Sequence, residues 1–518
     1  MRAKTLYLLA VLAVAVALFT TVPFRGLFEP DESRYALVAK GMLEEGHWLV
    51  PYLEGVPYTH KPPLYLWLVA ALRGLGLPWT AAGVIPAFAA AMAVLLLFPR
   101  GGHRLGLSEE EAFLAAAATA ACPLFVTMAV AARMDMLLTL ALAASLVAAY
   151  VVVRGDGVSG AWRWVFWLGV GLGVMSKGPV AVALVALTLI LFSLASREPL
   201  SFRNLFKGWA WAAPWVMILA WFVPAAASQG WGWVQEILIR QSAGRMVASF
   251  AHREPFYFHL ITWPVTGFPG SLLALGAAVA LWRRAQPPAV RFTASAFLAV
   301  LLFFSAISGK LVVYLLPLVP IAAVLAVLAL RERAAWMSWV LAVSSLLGFA
   351  LGGVIAAVPT WRSELGLTDG TAAVLGTGLV LPSLFGLVAA ARREPGRAFR
   401  FLILAGVWFA AVVLPVATHH VDATLSVRVV ARAYSSLASP GAPGLVYRET
   451  LSGLPVYGER PFIRLQTPEE LERALISGRP VVVTERDWRK VRPNIKLENL
   501  KETRFPYRRS ALLIVFHP

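Results

Sequence analysis

The sequence predicts an all-α polytopic membrane protein with a small α/β domain at its C-terminus. The 518 residues are 59% hydrophobic and only 14% charged, whereas a soluble protein carries roughly a quarter charged residues. The apolar residues form long uninterrupted runs, several of which exceed the ~20 residues that a helix needs to cross the hydrocarbon layer. After His420 the sequence changes to a charged, Pro- and Gly-containing stretch with short β-like runs.

The transmembrane part is predicted to cover residues 1–420 with about 13 spans. Short loops on one side concentrate arginines, for example at 100–104, 283–291 and 392–400, and such loops are usually cytoplasmic. This places the N-terminus in the cytoplasm and the C-terminus outside. The predicted spans are 6–22, 78–98, 111–128, 136–153, 162–175, 178–195, 208–224, 264–282, 293–307, 311–330, 334–357, 371–391 and 400–418.

Two regions outside the spans have their own organisation. The first outer loop, residues 23–77, contains an apolar segment at 62–77 that Pro62 and Pro63 interrupt, which indicates an interfacial helix. The C-terminal domain, 421–518, has β-like runs at 444–447, 480–484 and 511–516. Between the first two runs, Thr467 and Glu470 have the spacing of a capping box and predict a helix over 467–476.

Charge and cysteine content restrict the class of function. The net charge of +18 could suit nucleic acid, but much of it lies in short loops between spans, so no nucleic acid partner is expected. Cys122 is the single cysteine, which excludes an intrachain disulfide and a multi-cysteine metal site.

Polar residues recur at the predicted outer ends of the spans. They include carboxylates in the first loop, Asp135 before the fourth span, Lys177 between spans five and six, and Lys310 with Tyr314 between spans nine and ten. A single such residue commonly snorkels or caps a helix. Their repetition at one face predicts a cavity in which cations hold phosphate and a carboxylate binds a sugar hydroxyl or acts as a base.

At these residues the sequence resembles the aminoarabinose transferases that modify lipid A. More broadly, it resembles the membrane glycosyltransferases of the C-type fold, which include the protein O-mannosyltransferases. The resemblance covers the whole chain and is strongest over 25–180. The motifs that carry it are Asp31-Glu32-Ser33-Arg34-Tyr35, His60-Lys61-Pro62-Pro63, Arg133-Met134-Asp135-Met136, Ser176-Lys177-Gly178-Pro179 and the segment from Ser308-Gly309-Lys310 to Pro317.

The resemblance implies a transferase in a bacterial-type inner membrane, with its active site and C-terminal domain in the periplasm. It would move a sugar from a polyprenyl-phosphate carrier to a lipid A-like lipid with inversion, or alternatively to a protein hydroxyl. Asp31 and Glu32 are the implied catalytic residues, although helix capping is the alternative for both. The implied substrate-binding residues are Arg34, Tyr58, Lys61, Arg133, Asp135, Lys177, Arg245, His252, Lys310 and Tyr314.

One position departs from the family pattern. Family members commonly have an acidic residue before the Lys-Pro-Pro motif, where this chain has His60. No cofactor is implied with certainty. A divalent metal at His60 stays open, because imidazole also binds zinc. The alternatives are a plain interfacial histidine and a different donor sugar.

A flippase or transporter for a lipid-linked sugar is the rival class of function. Transporters tend to place ionisable groups near the bilayer midplane and often consist of two related halves. Here the ionisable groups lie at span ends, and no second half repeats the first. A scaffold that displays the C-terminal domain would leave the outer polar residues unexplained.

Overall fold

The computed structural model describes residues 1–155, 160–196, 200–244, 253–282, 286–332, 334–357, 368–508 and 510–517. Two compact units divide the chain. Unit 1 comprises Met1–Thr20, Thr59–Tyr65 and Ile85–Pro415, and unit 2 comprises Thr21–Tyr58, Leu66–Val84 and Val416–Pro518. Unit 2 therefore combines most of the first loop with the C-terminal region.

Helices are the predominant secondary structure in both units. Short 3₁₀ turns lie at Gly102–Leu105, Phe202–Phe206, Val312–Leu315 and Arg492–Asn494, and π-helical segments at Glu236–Gly244 and Phe409–Val413. The α-helices are α1 (Ala3–Thr21), α2 (Asp31–Glu44), α3 (Leu64–Gly74), α4 (Trp79–Gly101), α5 (Glu109–Ala120), α6 (Pro123–Ala129), α7 (Asp135–Arg154), α8 (Gly160–Lys177), α9 (Val180–Ala195), α10 (Ala212–Gln229), α11 (Trp231–Gln235), α12 (Phe258–Thr266), α13 (Ser271–Trp282), α14 (Pro288–Ala306), α15 (Leu318–Leu330), α16 (Ala335–Ala357), α17 (Asp369–Ala391), α18 (Pro395–Trp408), α19 (Leu414–Leu425), α20 (Arg428–Leu437), α21 (Gly453–Tyr457), α22 (Pro468–Ile476) and α23 (Glu485–Val491).

The chain is a multi-pass membrane protein. Within the described residues, 8 helices are long and apolar enough to cross a membrane, or 9 if the bent pair α5–α6 is one span. The other predicted spans are short or broken helices, except 162–175, where α8 is one continuous helix of 18 residues. Proline explains two of the breaks. Pro123 begins α6 after a bend of 70°, and Pro317 separates a 3₁₀ turn from α15.

Helices α7 and α8 form a closely packed antiparallel pair in unit 1. A Cβ atom at Gly169 of α8 would lie 2.3 Å from Ser145 Oγ and 2.9 Å from the Ala141 carbonyl oxygen of α7. Small residues at such contacts let helix backbones approach closely in membrane proteins. Because the pair is antiparallel, the first residue of α7 and the last residue of α8, Asp135 and Lys177, lie at the same end.

Unit 2 contains two β-sheets. A small antiparallel pair joins β1 (Tyr52–Leu53) to β2 (Val56–Pro57). The larger sheet has the order β4-β3-β5-β7-β6, in which β4, β3 and β5 are parallel and β7 is antiparallel to β5 and β6. Its strands are β3 (Gly444–Tyr447), β4 (Phe462–Leu465), β5 (Val481–Thr484), β6 (Lys501–Tyr507) and β7 (Ser510–Phe516).

Both faces of this larger sheet are buried, because alternate residues of a strand point to opposite faces. Val481 and Val483 of β5 pack in a cluster with Leu471 of α22, whereas Val482 packs in a second cluster with Val430 of α20. The β-like runs predicted near 444, 480 and 511 are confirmed as β3, β5 and β7. The predicted capping box is confirmed too, because Thr467 and Glu470 exchange both hydrogen bonds at the start of α22.

Candidate functional site

The polar cluster of unit 1 is centred on Asp135, the first residue of α7. Asp135 is buried, with 3% of its surface exposed. Lys177 Nζ donates to Asp135 Oδ1 at 2.5 Å, and Arg133 Nε donates to Asp135 Oδ2 at 3.2 Å. Each carboxylate oxygen thus accepts a charge-assisted hydrogen bond, which is stronger than a neutral one.

Lys177 is held in place by the turn that ends α8. The next residue, Gly178, has a φ of +82°, a left-handed conformation that glycine adopts without steric cost, and Pro179 then starts the next helix. The Lys177 ammonium also lies 4.6 Å from the centre of the Tyr314 ring, which makes a cation–π contact. Tyr314 itself stacks on Phe304 with ring centres 5.3 Å apart.

Lys61 belongs to the same electrostatic environment. Its positive charge acts on Asp135 together with the charges of Lys177 and Arg133. Three cations from separate segments of unit 1 therefore surround one carboxylate. We refer to Lys61, Arg133, Asp135, Lys177 and Tyr314 as the Asp135 cluster.

Lys310 has a different environment. Its side chain is 4% exposed, and its Nζ donates to the carbonyl oxygens of Ile307 at 2.6 Å and Glu254 at 3.0 Å. An isolated β-bridge between Arg253 and Gly309 joins the same two segments. In these contacts Lys310 fastens the loop before α12 to the loop that leads to Tyr314.

Unit 2 contains Asp31 and Glu32, the two carboxylates of the first loop that were predicted to be catalytic. Asp31 begins α2 and lies 3.6 Å from Arg34 Nη1, with 31% of its side chain exposed. Glu32 is buried, and Arg25 donates to both of its oxygens, at 2.7 Å and 3.2 Å. The backbone N–H of Phe28 also donates to Glu32 Oε2 at 2.9 Å. The Glu32 carboxylate is therefore engaged in a closed buried ion pair, whereas Asp31 is partly exposed.

The remaining predicted site residues are Tyr58, His60, Arg245 and His252. Tyr58 is a buried residue of unit 2, and its backbone N–H donates to the Pro51 carbonyl at 2.7 Å. Arg245 and His252 lie outside the described residues. His60 belongs to unit 1 and is exposed. Among the residues that the structure describes, no group of three His, Cys, Asp or Glu side chains could hold a metal ion. These residues do not provide a donor set for the divalent ion considered at His60, and no catalytic step is assigned to a metal.

Sequence reasoning did not identify the polar residues that hold the first loop. Arg25, Glu29, Asp422 and Tyr457 all make hydrogen bonds around this loop in unit 2. Glu29 lies two residues before the motif that begins at Asp31, so its position close to that motif gave a signal. Asp422 and Tyr457 are about 400 residues away along the chain, and no local pattern connects them to the loop.

Comparison with known proteins adds to this geometry. A family model described as dolichyl-phosphate-mannose-protein mannosyltransferase matches residues 60–227. In a solved structure, ArnT from Cupriavidus metallidurans bound to undecaprenyl phosphate aligns with a TM-score of 0.75 at 18% identity, covering 98% of this chain and 97% of that chain. The chain shares the fold of this ArnT structure. The resemblance predicted from the sequence is thus confirmed.

Two sequence relatives share the description undecaprenyl phosphate-alpha-4-amino-4-deoxy-L-arabinose arabinosyl transferase. The relative from Pectobacterium carotovorum is 28% identical over 391 residues, which is 72% of this chain and 66% of the relative, just under two thirds. One from Sodalis glossinidius is 29% identical over 413 residues, covering 75% of this chain and 72% of the relative.

Proposed function

We propose that the chain is a membrane glycosyltransferase that moves a sugar from a polyprenyl-phosphate carrier to a lipid acceptor. The observation that carries the proposal is the Asp135 cluster, where three cations from separate segments surround one carboxylate at the ends of apolar helices. Ammonium and guanidinium groups in such a site suit the phosphate of a lipid-linked donor. The description of the relatives as undecaprenyl phosphate-dependent transferases supports this assignment.

In the proposed reaction, an acceptor oxygen attacks the anomeric carbon of the donor sugar. The bond from the anomeric carbon to the phosphate oxygen breaks on the opposite side, and its electron pair leaves with the carrier phosphate, so the configuration inverts. Negative charge then grows on the phosphate, where Lys61, Arg133 and Lys177 stabilise it. Asp135 keeps Lys177 and Arg133 oriented for this task, because it accepts a hydrogen bond from each.

The role of Asp31 depends on the acceptor. A hydroxyl acceptor loses a proton as the new bond forms, and Asp31 would take it as the general base. A phosphate acceptor such as a lipid A phosphate is already an anion and needs no base. Glu32 is the less suitable base, because its carboxylate is buried and bonded to Arg25. We therefore assign Glu32 to the structure of the loop.

The proposal also includes the orientation of the chain in the membrane. The Asp135 cluster and the C-terminal region, 421–518, face the periplasm, and the N-terminus lies in the cytoplasm. Support comes from the arginine-rich short loops, which would then lie on the cytoplasmic side.

The test is transfer of radiolabelled sugar from polyprenyl-phosphate lipids of the source membranes by the purified chain. Label should appear in a lipid fraction and be lost with Asp31→Asn if the acceptor is a hydroxyl. Asp487→Asn is the matched control, because Asp487 is also a carboxylate in the first turn of a helix of unit 2, where it bonds Thr484. An acceptor phosphate would leave Asp31→Asn active while Lys177→Met loses transfer.

The mannosyltransferase family model favours a second candidate, transfer to a protein hydroxyl. In the same assay this reaction would place label in the protein fraction. Movement of intact labelled carrier lipid across liposome membranes, with no transfer of sugar, would identify a flippase and contradict the proposal.

A further inference from the structure

The segment 24–29, which leads directly into Asp31, is held by the C-terminal region of unit 2. Four consecutive backbone N–H groups of this segment have acceptors. Gly26 donates to Asp422 Oδ1 at 2.6 Å, Leu27 to the Tyr457 hydroxyl at 2.6 Å, Phe28 to Glu32 at 2.9 Å and Glu29 to the Leu425 carbonyl at 2.9 Å. Three of these four acceptors come from residues 422–457.

Carbonyl groups of the same segment are also engaged. Arg428 Nη2 donates to the Phe24 carbonyl at 2.7 Å and to Asp422 Oδ2 at 3.1 Å. The Thr80 hydroxyl donates to the Arg25 carbonyl and lies 3.3 Å from the Tyr457 hydroxyl. Since the single proton of Thr80 is used on Arg25, Tyr457 donates to Thr80. Tyr457 thus accepts a hydrogen bond from the Leu27 N–H and donates one to Thr80, which in turn bonds the Arg25 carbonyl.

Close packing restricts the segment further. A Cβ atom at Gly26 would lie 2.0 Å from Ser426 Oγ, a distance that requires a shift of the backbone or of Ser426. Glu29 Oε1 accepts from the Gly453 backbone N–H at 2.6 Å and would lie 2.8 Å from a Cβ atom at Gly453. The C-terminal residues therefore fit the main chain of segment 24–29 closely and do not merely lie beside it.

We infer that Asp422 and Tyr457 are positioning residues for Asp31, so that the C-terminal region takes part in sugar transfer by fixing the first loop. The inference rests on the proposed function. Fixing a loop in one conformation costs backbone entropy. The hydrogen bonds that Asp422 and Tyr457 accept from Gly26 and Leu27 offset that cost before substrate binds, and they set where α2 and its first residue, Asp31, begin.

Tyr457→Phe tests the inference, and Tyr434→Phe is its matched control. Tyr434 is also a buried tyrosine of unit 2 whose hydroxyl accepts one backbone N–H, from Leu445 at 2.9 Å, and donates to one acceptor, the Pro480 carbonyl at 2.8 Å. These two hydrogen bonds join Tyr434 to the sheet region and to none of the residues of segment 24–29. Both variants should lose a similar amount of thermal stability.

Only Tyr457→Phe should lower kcat for transfer, by roughly ten- to a hundredfold, as small misplacements remote from the chemistry do. KM for the polyprenyl-phosphate sugar should change little, because the Asp135 cluster is untouched. Hydrogen exchange by mass spectrometry supplies a second readout, in which the amides of residues 26–29 lose protection in Tyr457→Phe and keep it in Tyr434→Phe.

Gly26→Ala keeps the test decisive if Tyr457→Phe fails to fold. Its methyl group would collide with Ser426, so kcat should fall and should recover in part in Gly26→Ala/Ser426→Gly. A wild-type chain that transfers sugar, with both Tyr variants equally active and equally protected, would overturn the positioning role alone. A wild-type chain that transfers no sugar would overturn the proposed function, and the positioning role with it.

Discussion

The Asp135 cluster and the Arg25–Glu32 pair are both buried and both ionic, yet they differ in stoichiometry. In the Arg25–Glu32 pair, one guanidinium meets one carboxylate through two hydrogen bonds, and the Phe28 N–H completes the set. In the Asp135 cluster, three cations act on one carboxylate. The first arrangement balances its charge internally, whereas the second has more cations than anions among its named members.

This difference separates a structural ion pair from a candidate binding site. Burying an ion pair costs desolvation free energy. A bidentate pair of one cation and one anion offsets this cost only through the geometry of its own hydrogen bonds. A cation-rich cluster gains further stabilisation when an anion such as a phosphate arrives, because ammonium and guanidinium groups form charge-assisted hydrogen bonds with it. Removing one member of the Asp135 cluster should therefore affect sugar transfer and stability in a different proportion from removing one member of the Arg25–Glu32 pair.

Lys177→Met is the change with the largest expected effect. Removing the ammonium leaves Asp135 without one partner and should reduce transfer by about 10²–10³-fold, as loss of a stabiliser of developing negative charge does. It should also lower stability, because breaking a buried pair costs roughly 3–5 kcal/mol. Sugar transfer and thermal unfolding in detergent measure the two effects.

The double variant Asp135→Asn/Lys177→Met separates the two effects of this change. It removes both charges, so we expect recovery of stability without recovery of transfer. Recovery of transfer as well would mean that the pair serves only the fold. Arg331→Ala is the control, since Arg331 also pairs with a single carboxylate, Glu111, on a more exposed surface.

Glu32→Gln compared with Asp31→Asn sharpens the contrast within the first loop. Glu32→Gln removes the charged group to which Arg25 donates two buried hydrogen bonds, and it should cost about 3–5 kcal/mol of stability. Asp31→Asn weakens a partly exposed 3.6 Å pair with Arg34 and should cost at most about 1 kcal/mol. Thermal unfolding of both variants checks this order, and equal losses would contradict the division between structural Glu32 and reactive Asp31.

The sequence predicted best those features of the structure whose signal comes from residues close together in the chain. The capping box at Thr467 and the strands near 444, 480 and 511 rest on residues close together in the chain, and the structure has them there. The spans were harder, because apolar runs do not show where a proline such as Pro317 breaks a helix. Where thirteen spans were predicted, the described part of the chain has eight or nine helices of sufficient length and composition.

The same distinction holds for the candidate site. Residues at the ends of successive spans were predicted to share one face, and Lys61, Arg133, Asp135, Lys177 and Tyr314 do come together. Their roles stay predictions. The pairing of Glu32 with Arg25 was not predicted, because Arg25 lies in none of the motifs identified in the sequence. The contacts of Asp422 and Tyr457 with the first loop join residues about 400 positions apart, for which hydropathy and spacing give no signal.

Glu29→Gln should change how stability depends on pH. Burial raises the pKa of the Glu29 carboxyl above its usual value, although bonds from Ser33 and Gly453 and the charges of Arg508 and Arg34 oppose this. Between the usual and the raised pKa, the folded chain holds a proton that the unfolded chain releases. The stability contributed by Glu29 is therefore present at low pH and falls as pH rises through this window.

Thermal midpoints measured from about pH 4 to pH 8 test the assignment of this fall to Glu29. The Glu29→Gln variant should be less sensitive to rising pH than the wild type over the acidic part of the range. Tyr507, whose hydroxyl Glu29 also influences, has a pKa of about 12 and stays neutral throughout. Identical pH profiles for the two proteins would show that Glu29 keeps its usual pKa.

Tyr447→Phe is expected to have the smallest effect, and it contrasts two tyrosines of the same sheet region. Tyr434 is buried with its hydroxyl in two hydrogen bonds, so Tyr434→Phe should cost about 1–3 kcal/mol, because it leaves the Leu445 N–H and Pro480 carbonyl unsatisfied. Tyr447 is equally buried, but within the described residues its hydroxyl has no hydrogen-bond partner. Removing that hydroxyl forfeits no such bond and relieves the burial of a polar group, so Tyr447→Phe should be neutral or stabilising by thermal unfolding. A loss as large as that of Tyr434→Phe would mean that an ordered water bonds the Tyr447 hydroxyl and contributes to the stability of unit 2.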